Sequence, residues 1–215
     1  MSAQAALVEK LVRGSAQALI AASGELCALD SIAGDGDHGL AMATASKGIL
    51  ARLDTEQPQT FRQACSMIGT EFSKVGGSMG ALLYVAFDAL SAEIDHAQCL
   101  TPPSALATLL ATAQNALSEF GGAKPGDKTL VDAVDAARVA AGAVTSRNET
   151  PAQTLRRVAD ATKAGAVATA QMSAKVGRAS RLGELGRGSA DAGATSFAII
   201  MDAVATAYQS WSEAA

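Results

Sequence analysis

Residues 7–19, which read LVEKLVRGSAQAL, carry the pattern that decides the fold. Leu7, Leu11 and Ala18 recur at spacings of four and seven residues, and a second apolar set, shifted by one residue, keeps the same spacing. This spacing puts apolar side chains on one face of a helix, because an α-helix completes a turn about every 3.6 residues. The stretch therefore predicts an amphipathic helix with one buried face.

Helical patterns of this kind continue along most of the chain. Further helices are predicted over residues 38–53, 60–74, 79–96, 103–120, 128–145, 151–173 and 192–212. Thr150 to Gln153 read as a capping box, and the prolines fall between predicted helices or in their first turns. No segment alternates β-branched and polar residues as a half-buried strand does. The predicted fold class is all-α: one domain, residues 1–215, forming an antiparallel bundle of about eight amphipathic helices.

The composition limits the classes of function. The 215 residues are 49% hydrophobic, enough for one domain with a large core, with two small domains as the weaker alternative. The net charge is −4 and there is no run of lysines or arginines. Because nucleic-acid binding depends on positive charge, we expect no nucleic-acid partner.

The same composition bears on where the protein works. No apolar run approaches the ~18 residues that a membrane span needs, and the N-terminus has no signal-peptide pattern. Cys27, Cys65 and Cys99 lack the spacing of metal ligands and are odd in number, which predicts reduced thiols. We expect a soluble, cytoplasmic protein without a membrane partner.

Four glycine- and aspartate-rich segments interrupt the helical pattern. They are residues 33–39 (AGDGDHG), 76–80 (GGSMG), 124–129 (KPGDKT) and 177–193 (GRASRLGELGRGSADAG). Carboxylates suit hard cations, glycine turns expose backbone N–H groups, and arginine carries a fixed positive charge. Because proteins bind polyphosphates with these three devices, the segments predict a nucleotide–magnesium site in loops that can meet at one end of the bundle.

The first segment supplies the candidate metal ligands. Together with Asp30, it allows the carboxylates of Asp35 and Asp37 to face one point, since the intervening glycines let the backbone turn. An EF-hand counted from Asp35 is excluded because its twelfth residue is Ser46 instead of glutamate. Two alternatives stay open: the acidic residues only cap the next helix, and His38 either binds phosphate or caps.

The other segments offer groups for an anion. Residues 76–80 open a predicted helix, so their N–H groups can bind phosphate, although a plain turn is the alternative. Residues 121–129 imitate a phosphate-binding P-loop, but Asp127 breaks the motif and a helix precedes it, so we predict that Asp127 caps the following helix. Arg178 and Asp191 complete the set, with a surface ion pair as the alternative for the arginine.

These motifs resemble the L subunit of dihydroxyacetone (glycerone) kinase, which also occurs as the nucleotide-binding C-terminal domain of single-chain dihydroxyacetone kinases. The matching motifs are D-x-x-x-x-D-x-D-H-G at 30–39, GGS at 76–78, PGDKT at 125–129, GRA at 177–179 and D-x-GATS at 191–196. The resemblance spans most of the chain. It implies an up-and-down barrel of eight amphipathic helices that binds ADP or ATP and two Mg²⁺ ions at one end.

The resemblance also implies roles for individual residues. Asp30, Asp35 and Asp37 match the metal ligands and, with Arg178, form the implied catalytic set. The implied nucleotide contacts are His38, Gly39, Leu40, Ala41, Ser78, Met79, Gly121, Leu130, Arg178, Asp191, Ala192 and Gly193.

Three positions depart from the family pattern. Met79 stands where the family often has serine, which removes a hydroxyl contact to phosphate. Ala41 replaces a commonly polar residue, and Ala192 replaces a frequent proline. None of the three is an implied metal ligand, so the implied activity is retained.

The resemblance implies a kinase that is incomplete without a partner. The family binds its ketose covalently through a histidine on a separate K subunit, so the partner would be a K-type subunit. It leaves open whether ATP exchanges freely or a phosphotransferase-system phosphocarrier recharges bound ADP, whether dihydroxyacetone or erythrulose is the acceptor, and whether the chain forms a homodimer. A non-catalytic ADP-binding regulatory partner is the alternative of another class. The nucleotide domain of a fatty-acid kinase is disfavoured, because 215 residues leave no room for that family's further domains.

Overall fold

The protein is described by a computed structural model that covers residues 2–93, 103–143 and 149–214. These ranges contain α-helices, short 3-10 helices and no strand, which confirms the all-α prediction. The α-helices are α1 (Ala3–Ala21), α2 (Ser23–Ala33), α3 (His38–Glu56), α4 (Phe61–Ser73), α5 (Gly77–Glu93), α6 (Pro103–Gly121), α7 (Leu130–Gly142), α8 (Pro151–Ala168) and α9 (Ala192–Ser212). Two 3-10 helices, Thr169–Gln171 and Arg178–Gly186, lie between α8 and α9.

Eight of these helices form a closed ring. α1 packs against α3, each helix from α3 onward packs against the next, and α9 returns to α1. The return is antiparallel: Lys10 bonds Ser210 at 2.9 Å, and Gly14, one turn further along α1, faces Ala207. The ring is the predicted up-and-down barrel. Because neighbours alternate in direction, the N-termini of α3, α5, α7 and α9 lie at one end.

The ninth helix, α2, was not predicted and lies outside the ring. It follows α1 after Ala22 and packs against α3, α9 and the second 3-10 helix. Only Leu26 of its residues is buried, so it lacks the apolar stripe that marks the other helices in the sequence. Its last turn carries Asp30, so this carboxylate belongs to a helix end and not to a glycine-rich loop.

The core is built from small side chains that let the helices approach closely. One cluster joins α1 to α6–α9 around Leu155 and Met201, and a second joins α1–α4 around Met42 and Phe72. A third lies beside the end of the ring where the N-termini meet. Within the described ranges, no helix combines the length with the hydrophobicity that a membrane-spanning segment requires.

Several local predictions can be compared with the structure. The capping box at Thr150 and Gln153 is confirmed, with both reciprocal hydrogen bonds present. The prediction for Asp127 is wrong: Thr129 caps α7 in a capping box with Asp132, while Asp127 accepts a hydrogen bond from the Lys124 amide. Lys128 separates the two in a left-handed conformation (φ 61°), and Asp127 lies two residues before the N-cap position. The predicted helix ends at 94–96 and 144–145, and Cys99, lie outside the described residues.

Replacing Gly39 with alanine should destabilise the fold at the contact between α2 and α3. An ideal Cβ at Gly39 would lie 1.9 Å from the carbonyl oxygen of Ser23, so the two helices would have to separate. We expect Gly39→Ala to lower the free energy of unfolding by about 1–3 kcal/mol, as overpacked sites do. Urea unfolding measures the change. Gly24→Ala on α2 is the control, because nothing lies within 4 Å of its ideal Cβ. Equal stability of the two variants would show that the helices yield freely.

Candidate functional site

A cavity of about 430 Å³ opens at the end of the ring where the helix N-termini meet. Its wall comes from the last turn of α2, the start of α3, residues 76–79, the end of α6, residues 128–131, parts of the segment 176–191 and the start of α9. The first turn of a helix has N–H groups without intrahelical acceptors, and the helix dipole adds positive potential there. The geometry of the ring therefore makes this end attractive to anions.

One side of the cavity is acidic. Asp30, Asp35 and Asp37 each place a carboxylate oxygen so that the three atoms lie within 4.8 Å of one another. We call these residues the acidic cluster. The Oδ2 atom of Asp30 accepts hydrogen bonds from the amides of Gly36 (2.9 Å) and Asp37 (3.1 Å) and, at 3.4 Å, from the first residue of α3. Asp30 therefore closes the loop that brings the other two carboxylates to it.

The acidic cluster is not merely a set of helix caps. Asp37 occupies the N-cap position of α3, yet its side chain makes no capping hydrogen bond. The only capping amide contact from the cluster to α3 comes from Asp30. Three close carboxylates supply the oxygen ligands that Mg²⁺ prefers, so the donor set fits a divalent cation.

Charge within the cluster is balanced unevenly. The guanidinium of Arg178 donates a hydrogen bond to Asp35 and lowers the pKa of that carboxyl group. Burial raises the pKa of Asp37, and the neighbouring charge of Asp35 adds to the rise. Of the ion pairs in the described residues, Arg178–Asp35 is the one that reaches the cluster. A bound cation would relieve the remaining repulsion.

His38 is fixed at the base of the cavity. Its Nε2 atom lies 2.6 Å from the Oγ atom of Ser196, whose hydroxyl group donates to the Ala192 carbonyl at 3.1 Å. Burial lowers the pKa of His38, which favours the neutral ring. The residue is thus a fixed wall group tied to α9. Ser196 is a site residue that the sequence motif contained but whose role was not predicted.

Asp191 caps α9 at the cavity wall. Its Oδ2 atom accepts a hydrogen bond from the Ala194 amide at 2.7 Å, and its own amide donates to the Thr169 hydroxyl at 2.8 Å. Burial raises the pKa of Asp191 to about 6, and the nearby charge of Asp132 contributes to the rise. A carboxylate in this position carries an electrostatic cost that the fold alone does not require.

The opposite wall is apolar. Leu82, Leu117, Phe120 and Val131 line it, next to the amide-rich start of α5. The Cε atom of Met79 would lie 3.0 Å from an ideal Cβ at Gly193, so the methionine side chain packs directly over this glycine. The cavity therefore has one face suited to cations and anions and another suited to a flat apolar group.

Most of the residues predicted from the sequence line this one cavity. They are Asp30, Asp37, His38, Ala41, Ser78, Met79, Gly121, Leu130, Arg178, Asp191, Ala192 and Gly193. Three predicted residues do not line it. Asp35 reaches the acidic cluster from its exposed side, Gly39 packs against α2, and Leu40 points outward with 63% of its surface exposed. The binding roles of all these residues stay predictions.

Comparison with known proteins gives the family. The model of the DAK2 domain matches residues 32–206, most of the chain. The chain belongs to the DAK2 domain family. Among its relatives in this family is the ADP-binding subunit DhaL of the PEP-dependent dihydroxyacetone kinase 2 of Listeria innocua, with 32% identity over 83% of each chain. This bears out the resemblance to the L subunit.

Other DAK2 relatives are longer. The L-erythrulose kinase of Pectobacterium atrosepticum is 36% identical over 86% of this chain, which corresponds to 32% of the kinase. The crystal structure of the dihydroxyacetone kinase of C. freundii with AMP-PNP and Mg²⁺ superposes with a TM-score of 0.71 and 30% identity, covering 94% of this chain and 34% of that one. The chain thus spans about a third of the length of these longer relatives.

Removing the guanidinium from the acidic cluster should strengthen binding of a free divalent cation. In Arg178→Gln the cation no longer competes with Arg178 for Asp35. Because an exposed ion pair competes only weakly with a bound cation, we expect Mn²⁺ to bind about two- to fivefold more tightly without nucleotide. Electron paramagnetic resonance titration of Mn²⁺ measures this. Arg181→Gln, an exposed arginine on the same 3-10 helix, is the control. Weaker Mn²⁺ binding in Arg178→Gln would show that the arginine assists the ion instead of competing with it.

Replacing Asp191 with asparagine should stabilise the fold at neutral pH. The raised pKa of about 6 means that the unfolded chain loses this proton first, so stability falls as the pH rises from about 4 to 6. Asparagine keeps the cap without the charge. We expect Asp191→Asn to gain about 2–3 kcal/mol at pH 7, with the gain disappearing below about pH 4. Urea unfolding across this pH range checks the prediction, with Asp88→Asn, an exposed residue of α5, as control. A gain that does not change with pH would contradict the assigned cause.

Proposed function

We propose that the chain is the nucleotide-binding subunit of a dihydroxyacetone (glycerone) kinase. It would transfer phosphate from a magnesium–nucleotide to a ketose held on a separate K-type subunit. The observation that carries this proposal is the cavity itself, which joins a three-carboxylate cluster, four helix N-termini and an apolar wall at one end of the ring. These are the devices that phosphoryl transfer needs, because it depends on positioning and charge neutralisation.

The acidic cluster is the proposed metal centre. Asp30, held by three backbone amides, would orient the loop so that Asp35 and Asp37 face the same ions. The resemblance implies two Mg²⁺ ions, which would neutralise charge on the phosphate oxygens. Support comes from the solved relative that contains AMP-PNP and Mg²⁺.

The rest of the cavity is the proposed nucleotide site. The amides at the starts of α3, α5 and α9 would bind the phosphates of ADP or ATP, and Arg178 would neutralise their charge. The apolar wall that includes Leu117 and Phe120 would pack against the base. The printed name of the Listeria relative, an ADP-binding subunit, supports this assignment.

The ketose would come from a partner. His38 is the one histidine in the described part of the chain, and its ring is bound to Ser196, so it is not free to hold a substrate. Four large apolar side chains, Ile32, Leu40, Phe120 and Leu185, are 51–84% exposed and lie on elements that border the cavity. This apolar rim supports docking of a K-type subunit over the cavity mouth. The resulting enzyme would be cytoplasmic.

The acceptor could also be erythrulose. Three relatives at 34–36% identity are erythrulose kinases, and they share most of this chain. In the proposed arrangement the ketose is held by the partner, so the acceptor would be decided there and not in this cavity. The same nucleotide site serves either acceptor.

Magnesium-dependent nucleotide binding tests the site. We expect ADP or ATP to raise the melting temperature only when Mg²⁺ is present, since a ligand at one hundred times its dissociation constant stabilises the folded state by about 2.7 kcal/mol. Asp37→Ala should abolish the shift and retain the helical circular dichroism, because the side chain caps no helix. Asp88→Ala is the control. An undiminished shift in Asp37→Ala would overturn the metal assignment.

Phosphoryl transfer tests the partner. With ATP and Mg²⁺, the chain alone should not phosphorylate dihydroxyacetone or erythrulose, and addition of a K-type subunit should give turnover. Ketose phosphate is measured by ³¹P nuclear magnetic resonance. Turnover by the isolated chain would refute the half-enzyme proposal.

A further inference from the structure

Lys128 is a buried lysine in an unfavourable place. Only 4% of its surface is exposed, and it precedes the N-terminus of α7, where the helix dipole opposes a positive charge. Burial lowers its pKa. Its backbone adopts a left-handed conformation, φ 61°, which costs free energy in a residue with a Cβ. No ion pair to a carboxylate is formed by Lys128 in the described ranges. The contacts of the Lys128 side chain must therefore offset this free-energy cost.

Those contacts lie at the two ends of the segment 169–191. The Nζ atom of Lys128 donates to the carbonyl oxygen of Thr169 at 2.8 Å and to that of Ser189 at 2.6 Å. The first carbonyl is where the segment leaves α8, and the second is just before α9 begins. One ammonium group therefore joins the two ends of a segment more than twenty residues long in sequence.

Two backbone hydrogen bonds at the same place also hold the ends of the segment together. We call these contacts and those of the Lys128 ammonium group the neck of the segment. The amide of Gly188 donates to the Ala170 carbonyl at 2.8 Å, and the amide of Lys175 donates to the Asp127 carbonyl, next to Lys128, at 3.2 Å. Beyond this neck the segment has glycines with positive φ at 177 and 183, which weaken its own conformational preference. A loop of this kind keeps its shape through its closed ends.

The segment carries Arg178, which reaches across to Asp35 of the acidic cluster. Arg178 is half exposed and sits ten residues before Gly188, so its position depends on how the segment leaves its neck. We propose that Lys128 is a positioning residue that closes the neck of the 169–191 segment and thereby holds Arg178 at the nucleotide phosphates. This rests on the proposed nucleotide site, but closure of the neck can be tested without any ligand.

The first test measures the neck itself. Hydrogen–deuterium exchange of the full chain without ligand should be at least tenfold faster in peptides from residues 172–190 for Lys128→Met than for the parent. Exchange in α4 should be unchanged. Lys163→Met, an exposed lysine on α8, is the matched control. Unchanged exchange in the segment would overturn the proposal, whether or not the chain binds nucleotide. Absence of nucleotide binding would count separately, against the proposed function.

The second test asks whether Lys128 acts through Arg178. Calorimetry of Mg–ADP binding should show about tenfold weaker affinity for Lys128→Met, a similar loss for Arg178→Gln, and no further loss in the double variant. Only Lys128→Met should speed exchange of the segment. Additive losses would mean that Lys128 contacts the nucleotide directly, which would overturn the positioning role.

A chemical rescue separates the ammonium group from general stability. Lys128→Cys treated with bromoethylamine regains an amine of nearly the same length, and it should regain both slow exchange and nucleotide affinity. The parent treated in the same way controls for the other cysteines. Lys128→Gln, which keeps donors without the charge, replaces Lys128→Met if that variant does not fold. Failure of the modified cysteine variant to regain slow exchange would refute the proposal.

Discussion

Closure of the helix ring is the constraint on which the rest of the structure depends. The ring has eight helices, an even number, so neighbours can alternate in direction all the way round and still place α9 antiparallel to α1. Four N-termini then share one end, and each of these helices begins at or just after one of the glycine-rich segments of the sequence. The loops at that end, together with α2 lying outside the ring, bring the acidic cluster, Arg178 and Asp191 around one cavity. The chemistry of the site follows from the topology of the scaffold.

Apolar spacing was sufficient to predict the eight ring helices, because most of them bury a stripe that the sequence displays. It missed α2, which buries only Leu26 and is held by contacts distant in sequence. The motifs identified most of the cavity wall. They did not predict the capping box of Thr129 and Asp132 or the hydrogen bonds that the Lys128 ammonium group donates. Those depend on a left-handed backbone at a lysine, which residue propensities disfavour, and on carbonyl partners more than forty residues away.

Stability and function are divided between the two parts of the molecule. The ring is packed with alanine, leucine and valine, and its ion pairs are mostly exposed. The cavity end holds the groups whose charge the fold disfavours: Asp37 and Asp191 with raised pKa values, and Lys128 with a lowered one. Local choices that conflict with stability are concentrated at functional sites in many proteins, because a ligand later satisfies them. In this protein the apolar core lies in the body of the ring, and these residues with shifted pKa values lie at its cavity end.

The antiparallel contact of α1 with α9 also fixes where the polypeptide enters and leaves. The first residues of α1 and the last residues of α9 both lie at the end of the ring opposite the cavity, about 30 Å away along the 21-residue α9. Any neighbouring domain joined there would be tethered behind the ring and would leave the cavity mouth clear. The fold is therefore equally suited to a separate subunit, as in the Listeria relative, and to a module within a longer chain, as in the erythrulose kinases.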